Sequence, residues 1–361
     1  MTQPHRYNAD KTYRWNYDHA PVEQPEVDVP PVPGSWTFCG LPVDPPLGIP
    51  AGPLLNGNWV LYYAALGFDV VTYKTVRSTP RECYDLPNLV PVSVHRLDGA
   101  IDSVPAADEM TGSWAVSFGM PSAHPDQWRK DVERTRNQLP KGKLLSVSVV
   151  GTVQEGWSLD DLADDYARCA RWAVDAGADC IETNFSCPNV STCDGQLYQQ
   201  PADAALVAQR VRSEIGETPC IVKIGHTSSR IDAALLLEAV AGSVDALAMT
   251  NSVATRVQNS AGQLLFGGER RGICGDATRL ASLEQTRLFA GLAAERGLPI
   301  RMIGVGGAST ADHVRDYLAA GAEAVHIATA AMTNPDIGLS IRQGLNQSRT
   351  ESPASQTTDS L

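Results

Sequence analysis

The chain has 361 residues, 43% of them hydrophobic, and 29 lysines and arginines stand against 41 aspartates and glutamates for a formal net charge of −12. The length is large for one domain but usual for a single α/β barrel, and the acidic balance, with no long basic run, argues against nucleic acid or an anionic membrane as partner. No stretch reaches the roughly 18 apolar residues of a membrane span, and the polar, proline-rich start lacks the apolar core of a secretion signal, so a cytoplasmic protein without membrane insertion is expected.

In chain order, residues 1–35 read as an extended N-terminal arm, and "TFCGLPVDPP" (37–46) as a hairpin closing a barrel floor. Short apolar, β-branched runs then recur at 47–52, 69–74, 144–150, 180–185, 220–225, 244–250, 301–306 and 324–329. Such near-continuous runs suit strands covered on both faces, as in a parallel sheet. Helical signals fall between them, at 56–66, 126–138, 202–215, 281–296 and 335–345. Three more carry clear ends: Ser158 to Gly177, Ser228 or Ser229 to Gly242, and Ser309 to Gly321, each with a serine cap and a closing glycine. Eight strand–helix alternations predict a (β/α)8 TIM barrel over 36–345, with an open doubly wound sheet as the lesser alternative. The long connections 76–125 and 252–275 follow strands 2 and 6 and belong on the catalytic face. The polar, Ser/Thr-rich residues 346–361 read as a disordered tail.

Chemistry in a barrel sits at the C-terminal strand ends. Here these carry Ala51 and Gly52, Lys74 and Thr75, Asn184 with Ser186 and Cys187, Lys223 and His226, Thr250 with Asn251 and Ser252, Gly306 and Gly307, and Ala328 and Thr329. The ring holds two lysines, amides and small residues but no pair of carboxylates. That argues against a glycosidase or a carboxylate-bound metal. "GVGGAST" (304–310) opens a helix, with Ser309 as the expected cap, and its backbone N–H groups suit a phosphate. Lys223, inside "IVKIG", reads either as a core lysine in a salt bridge or as the cation for a bound anion. Asn184, Asn189 and Asn251 can each donate and accept, which suits a ring of alternating N–H and C=O groups; each can also serve as a turn or strand terminator.

The eight cysteines, at positions 39, 83, 169, 180, 187, 193, 220 and 274, form no CxxC pair and lack zinc-ligand spacing, so no metal is expected. Most read as small buried hydrophobes, and Cys193 as an exposed loop thiol. No GxGxxG follows a strand and no iron–sulfur cysteine run is present.

"PLGIPAGPLLN", "VVTYKT", "SFGMP", "NFSCPN", "IVKIG", "TNS", "RRGICGDATR", "GVGG" and "IATA" stand at fitting spacing and resemble the dihydroorotate dehydrogenase family over residues 36–345. The resemblance implies a (β/α)8 barrel carrying FMN and oxidising dihydroorotate or another dihydropyrimidine, in pyrimidine metabolism. By it, Gly306, Gly307, Ala328 and Thr329 hold the FMN phosphate. Ala51, Gly52, Thr75, Thr250 and Gly275 line the flavin, and Lys223 faces its pyrimidine edge, where a fixed cation stabilises added electrons. Lys74 lies near both flavin and substrate. Asn184, Asn189, Asn251 and Ser252 hold the substrate ring, with Asn184 also against the flavin, and Cys187 is the general base of the soluble branch, in place of the serine of the quinone-using branch. The chain departs from the pattern at Val116, where the family carries an asparagine that bonds the substrate ring, so the substrate is either dihydroorotate or a related dihydropyrimidine such as dihydrouracil or dihydrothymine. The resemblance further implies a homodimer, with a separate electron-transfer subunit as a partner. The reading from another class is a flavin-free, phosphate-binding barrel isomerase or aldolase using Lys223.

Overall fold

A computed structural model describes residues 5–43, 45–186 and 196–347. Cys187, Asn189, Cys193 and the tail from position 348 lie outside the described residues. Eight parallel strands close into a barrel: Leu47–Ile49, Val70–Val76, Leu144–Val149, Cys180–Asn184, Cys220–Lys223, Ala246–Met249, Arg301–Val305 and Ala322–His326. Each of the eight expected runs supplies one of them. The eighth starts and ends earlier than its run suggests, because the chain turns after Ile327 into a short helix, Thr329–Thr333. Closure joins the first strand to the last, Val325 beside Leu47 and His326 beside Gly48.

The helices begin where the sequence supplies caps. The Ser158 hydroxyl accepts from the Asp161 N–H while the Asp161 carboxylate accepts from the Ser158 N–H, a reciprocal box that starts Leu159–Asp175. Ser229 caps Arg230–Val240. Ser309 is not the cap expected of it: Thr310 accepts from the His313 N–H and starts Ala311–Ala319, one residue later. This leaves Ser309 free of the cap position, on the wall of a cavity.

The hairpin Trp36–Phe38 with Leu41–Val43 closes the barrel floor. Phe38 is fully buried and stacks on His326 with ring centroids 5.6 Å apart. At the opposite end, the connections after strands 2 and 6 do more than loop. They pair into a five-stranded sheet, Leu89–Pro91, Ser103–Pro105, Ser113–Val116, Val253–Gln258 and Arg271–Gly275, with its own apolar centre of Val92, Val104, Ala115, Val257 and Ile273.

Residues 5–34 contain a helix, Tyr13–Asp18, capped by Thr12. Asn16 is buried, its carbonyl accepts from Trp59 Nε1 at 3.1 Å, and the Tyr17 carbonyl accepts from Asn56 Nδ2 at 2.8 Å. This segment is thereby fastened to the helix Gly57–Ala65 behind the first strand.

Candidate active site

Strand register determines which side chains point into the barrel. Neighbours across a sheet share a face and residues alternate along a strand. Starting from the floor residues Val70, Leu144, Cys180 and Ile221, the pairings Thr72–Ser146, Glu182–Ile221, Asn184–Lys223 and Val305–His326 carry the same face upward through Thr72, Ser146, Glu182, Lys223 and His326. Lys74, Ser148 and Asn184 come next, at the mouth. The lower third of the interior is therefore apolar and the middle is polar. All five residues of the middle group are at most 2% exposed.

Above them lies a cavity of about 350 Å³, a volume suited to a cofactor or small ligand. Its wall includes Ala51, Gly52, Lys74, Thr75, Asn184, Lys223, Thr250, Asn251, Gly275, Gly306, Gly307, Ala328 and Thr329. Residues taken separately from seven strand ends and one turn thus face one space. Ser252 and His226 do not join them. They open, with Ser186 and Tyr198, on a smaller neighbouring cavity of about 170 Å³.

The wall is two-sided. On the barrel side the polar groups are held firmly. Lys223 Nζ lies 3.4 Å from the Ala51 carbonyl and 3.3 Å from Glu182 Oε1, so this lysine is in a core ion pair and on the cavity wall at once. Thr75 and Ser148 share a hydrogen bond of 3.0 Å. Thr250 Oγ1 donates to Gln285 Oε1 at 3.1 Å, and Gln285 Nε2 donates to the Gly225 carbonyl, which ties the ends of the fifth and sixth strands together. Asn184 Oδ1 accepts from the Ser186 N–H, and Asn251 Nδ2 donates to the Ser186 carbonyl at 2.6 Å. Lys74 places its ammonium 5.6 Å from the Tyr13 ring and 5.2 Å from the Phe118 ring, a distance at which aromatic faces attract a cation.

The other side is apolar and comes from the covering sheet and its flank: Leu89, Trp114, Val116, Phe118 and Met120. Val116 faces the cavity from the strand Ser113–Val116, between Leu89 and Gly272. Cys274 lines the same space; burial pushes its thiol up to about 12 and its Sγ lies 3.5 Å from the Asn251 carbonyl.

At one end, glycines let the backbone come close. Gly307 has φ +65°, and a Cβ there would stand 2.7 Å from the Gly275 carbonyl oxygen. Gly52, at φ +149°, faces no protein atom within 4 Å of where its Cβ would be. Asp276, at this end too, is paired with Arg279. Among the described residues no group of three or more His, Cys, Asp or Glu is placed to hold a metal.

Sequence reasoning missed Glu182, His326, Gln285 and Trp114. A carboxylate inside "CIETNF" and an imidazole inside "AVHIAT" were the available signals, since a polar residue in an apolar strand has to find a partner or a cavity. His326 is fully buried, and burial together with the charge of Lys223 lowers its pKa to about 3. It is neutral under ordinary conditions.

The dihydroorotate dehydrogenase family model matches residues 35–348. The chain belongs to the dihydroorotate dehydrogenase family. A dihydroorotate dehydrogenase of Dictyostelium discoideum is 30% identical over 319 residues, covering 84% of this chain and 85% of that one. The catalytic subunit of a dihydroorotate dehydrogenase B (NAD(+)) from Methanopyrus kandleri is 30% identical over 274 residues, covering 73% and 74%. The crystal structure of the Eimeria tenella dihydroorotate dehydrogenase in complex with ferulenol has the same fold, with a TM-score of 0.70 at 19% identity, covering 92% of this chain and 88% of that one. Membership of this family makes the chain an oxidoreductase. Among the described residues no helix is long and apolar enough to cross a membrane.

Proposed function

We propose that this chain is an FMN-dependent dehydrogenase that oxidises dihydroorotate or a related dihydropyrimidine. The observation that carries the reading is the single cavity itself: two strand-end lysines, hydroxyls, amides and closely approaching glycines converge on about 350 Å³ in a family member. The residues present fit the group. Gly306 and Gly307 offer a cradle with no room for side chains, Gly52 leaves the backbone open to a flat ring, and Lys223 supplies a buried cation.

In this reading the backbone of Gly306, Gly307 and Ala328, with the Thr329 hydroxyl, holds the phosphate. Ala51, Gly52, Thr75, Asn184, Thr250 and Gly275 line the ring system, with Lys223 at its pyrimidine edge. FMN, when bound, supplies the acceptor for a hydride. Lys74 stands beside cofactor and substrate, its ammonium held between aromatic faces. Asn184, Asn189 and Asn251 hold the substrate ring; Ser252, which opens on the neighbouring cavity, stands outside this set. Cys187, which follows Ser186 directly in the chain, takes a proton from one ring carbon. The electron pair of that C–H bond becomes the ring's new double bond as the neighbouring carbon gives up hydride. An unperturbed thiol titrates near 8.5, so the site has to favour the thiolate or work best above neutral pH.

The apolar wall around Val116 supports a dihydropyrimidine with fewer polar substituents than dihydroorotate, while the family match supports dihydroorotate itself. The names of several relatives, which are catalytic subunits of an NAD(+)-dependent enzyme, support a second reading in which a separate subunit receives the electrons. A homodimer and a cytoplasmic location are part of the same proposal. The flavin-free isomerase or aldolase finds no support in the family match.

The test is the visible spectrum of the purified protein, followed by FMN titration and anaerobic addition of dihydroorotate, dihydrouracil and dihydrothymine. A flavin spectrum bleached by one of them is the expected result. A colourless protein that does not take up FMN would overturn the reading.

A further inference from the structure

The barrel interior beneath the cavity holds a group of polar side chains that do not line it. Thr72 Oγ1, Ser146 Oγ, Glu182 Oε1 and both ring nitrogens of His326 are buried there without a hydrogen-bond partner among the described residues. Among the described residues, only Glu182 and Lys223 bring charge to this level. His326 is neutral, and Lys74 stands one inward step above Thr72.

Glu182 and Lys223 lie on adjacent strands. Asn184, not Glu182, is the direct register partner of Lys223, so the carboxylate sits one inward step nearer the floor and the ammonium points from it toward the rim. Nζ is 3.3 Å from Glu182 Oε1, with the two side chains 2% and 1% exposed. The pair meets the ion-pair distance but not the alignment of a hydrogen bond. Its nitrogen is also within 3.4 Å of the Ala51 carbonyl on the cavity wall. A buried cation that serves a ligand is costly to hold without a counter-charge when the ligand is absent or neutral.

We propose that Glu182 is a positioning residue of this site, holding the Lys223 ammonium at the rim and offsetting part of its charge, so that the site favours the reduced form of a bound flavin less strongly than an unpaired lysine would. The proposal rests on the FMN reading above. It differs from the bland role of a core salt bridge in a way that can be measured. A purely structural pair leaves the relative affinity for oxidised and reduced flavin untouched. A charge-sharing pair moves it.

The experiment measures the midpoint potential of FMN bound to wild type, Glu182→Gln and Glu182→Asp. Glu182→Gln is expected to raise the preference for reduced over oxidised FMN about tenfold, which for a two-electron couple is about 30 mV upward. Glu182→Asp, which keeps the charge, is expected to stay within roughly threefold of wild type on the same scale. An unchanged potential in a folded, FMN-loaded Glu182→Gln protein overturns the proposal. A thermal-melting cycle on ligand-free protein covers the case where wild type takes up no FMN, which refutes the functional reading but not the pair. There Glu182→Met and Lys223→Met are each expected to lower Tm, with the double variant melting above both. Additive losses overturn the hold of Glu182 on Lys223.

Discussion

Replacing Val116 with asparagine tests where the substrate ring lies. The backbone of Ser113–Val116 pairs with Leu89–Pro91 on one side and Arg271–Gly275 on the other, so the strand survives a change of side chain. Val116 is half-buried, and losing its apolar contact costs the fold about 1 kcal/mol, roughly half of what full burial of such a side chain contributes. The gain is on the ligand. Around Val116 the wall offers Leu89 and Phe118, which cannot satisfy a ring amide or carbonyl, and Trp114, whose one polar group is a donor-only indole N–H. A polar group left unpaired there costs about 1–3 kcal/mol, so a carboxamide that meets it tightens binding roughly 5- to 150-fold. The assay is anaerobic reduction of bound flavin against increasing dihydroorotate, dihydrouracil or dihydrothymine, with FMN content and Tm as controls. Half-saturation unchanged for all three compounds, in a folded and loaded Val116→Asn protein, refutes the placement of the ring against this strand.

Cys187→Ala is expected to bind FMN as wild type does and to slow flavin reduction by substrate about 10²–10⁴-fold, the usual worth of a general base; stopped-flow reduction at wild-type speed removes Cys187 from that role. Gly307→Ala puts a methyl 2.7 Å from the Gly275 carbonyl oxygen at φ +65°. Backbone strain of about 1–2 kcal/mol and crowding of about 1–3 kcal/mol should appear as lowered Tm together with lost FMN affinity, and an FMN Kd equal to that of wild type argues against phosphate at this turn. His326 carries a pH dependence. Its folded pKa of about 3 lies below the ordinary 6.5, so the unfolded chain binds the extra proton first. Stability is then full above about pH 6.5 and falls as pH drops toward 3, by up to about 1.4 kcal/mol per unit. In urea unfolding at pH 7, 5 and 4, His326→Leu should show a shallower decline, and an equal slope places the titration elsewhere.

The barrel was legible because its strands are apolar runs buried on both faces, and strand ends mark the catalytic side of such a fold wherever the helices lie. The covering sheet was not. Leu89–Pro91 and Ser103–Pro105 are three residues long and end in proline, and they become strands only by pairing with segments far along the chain. Glu182 and His326 stood in plain view within apolar runs. Their meaning depends on which face each strand turns inward, and that follows from register across the barrel, a property no single run contains. The N-terminal segment reads as polar and extended, yet Tyr7 and Tyr13 pack against the Phe118 ring and the Asn16 carbonyl accepts from Trp59 Nε1, partners supplied by later elements. Asn184, Lys223 and Thr250 were legible as strand ends, whereas Ser252, given a place on the substrate by the family resemblance, faces the neighbouring cavity.

Arg342, in the final helix Ile337–Asn346, is 4% exposed and donates from Nε to the Pro30 carbonyl, 312 residues earlier, and from Nη1 to the Gly67 carbonyl and Asp69. The last helix thus clasps the chain's beginning, close to where the eighth strand seals against the first. The cavity draws on both sides of that seam: Ala51 and Gly52 from one, Ala328 and Thr329 from the other. During synthesis the first half of the wall waits for the second, and contacts of such long range are the slow ones to form. The ligand site and the seal of the barrel are completed in the same event, so a ligand gripped across that seam would also act as its latch.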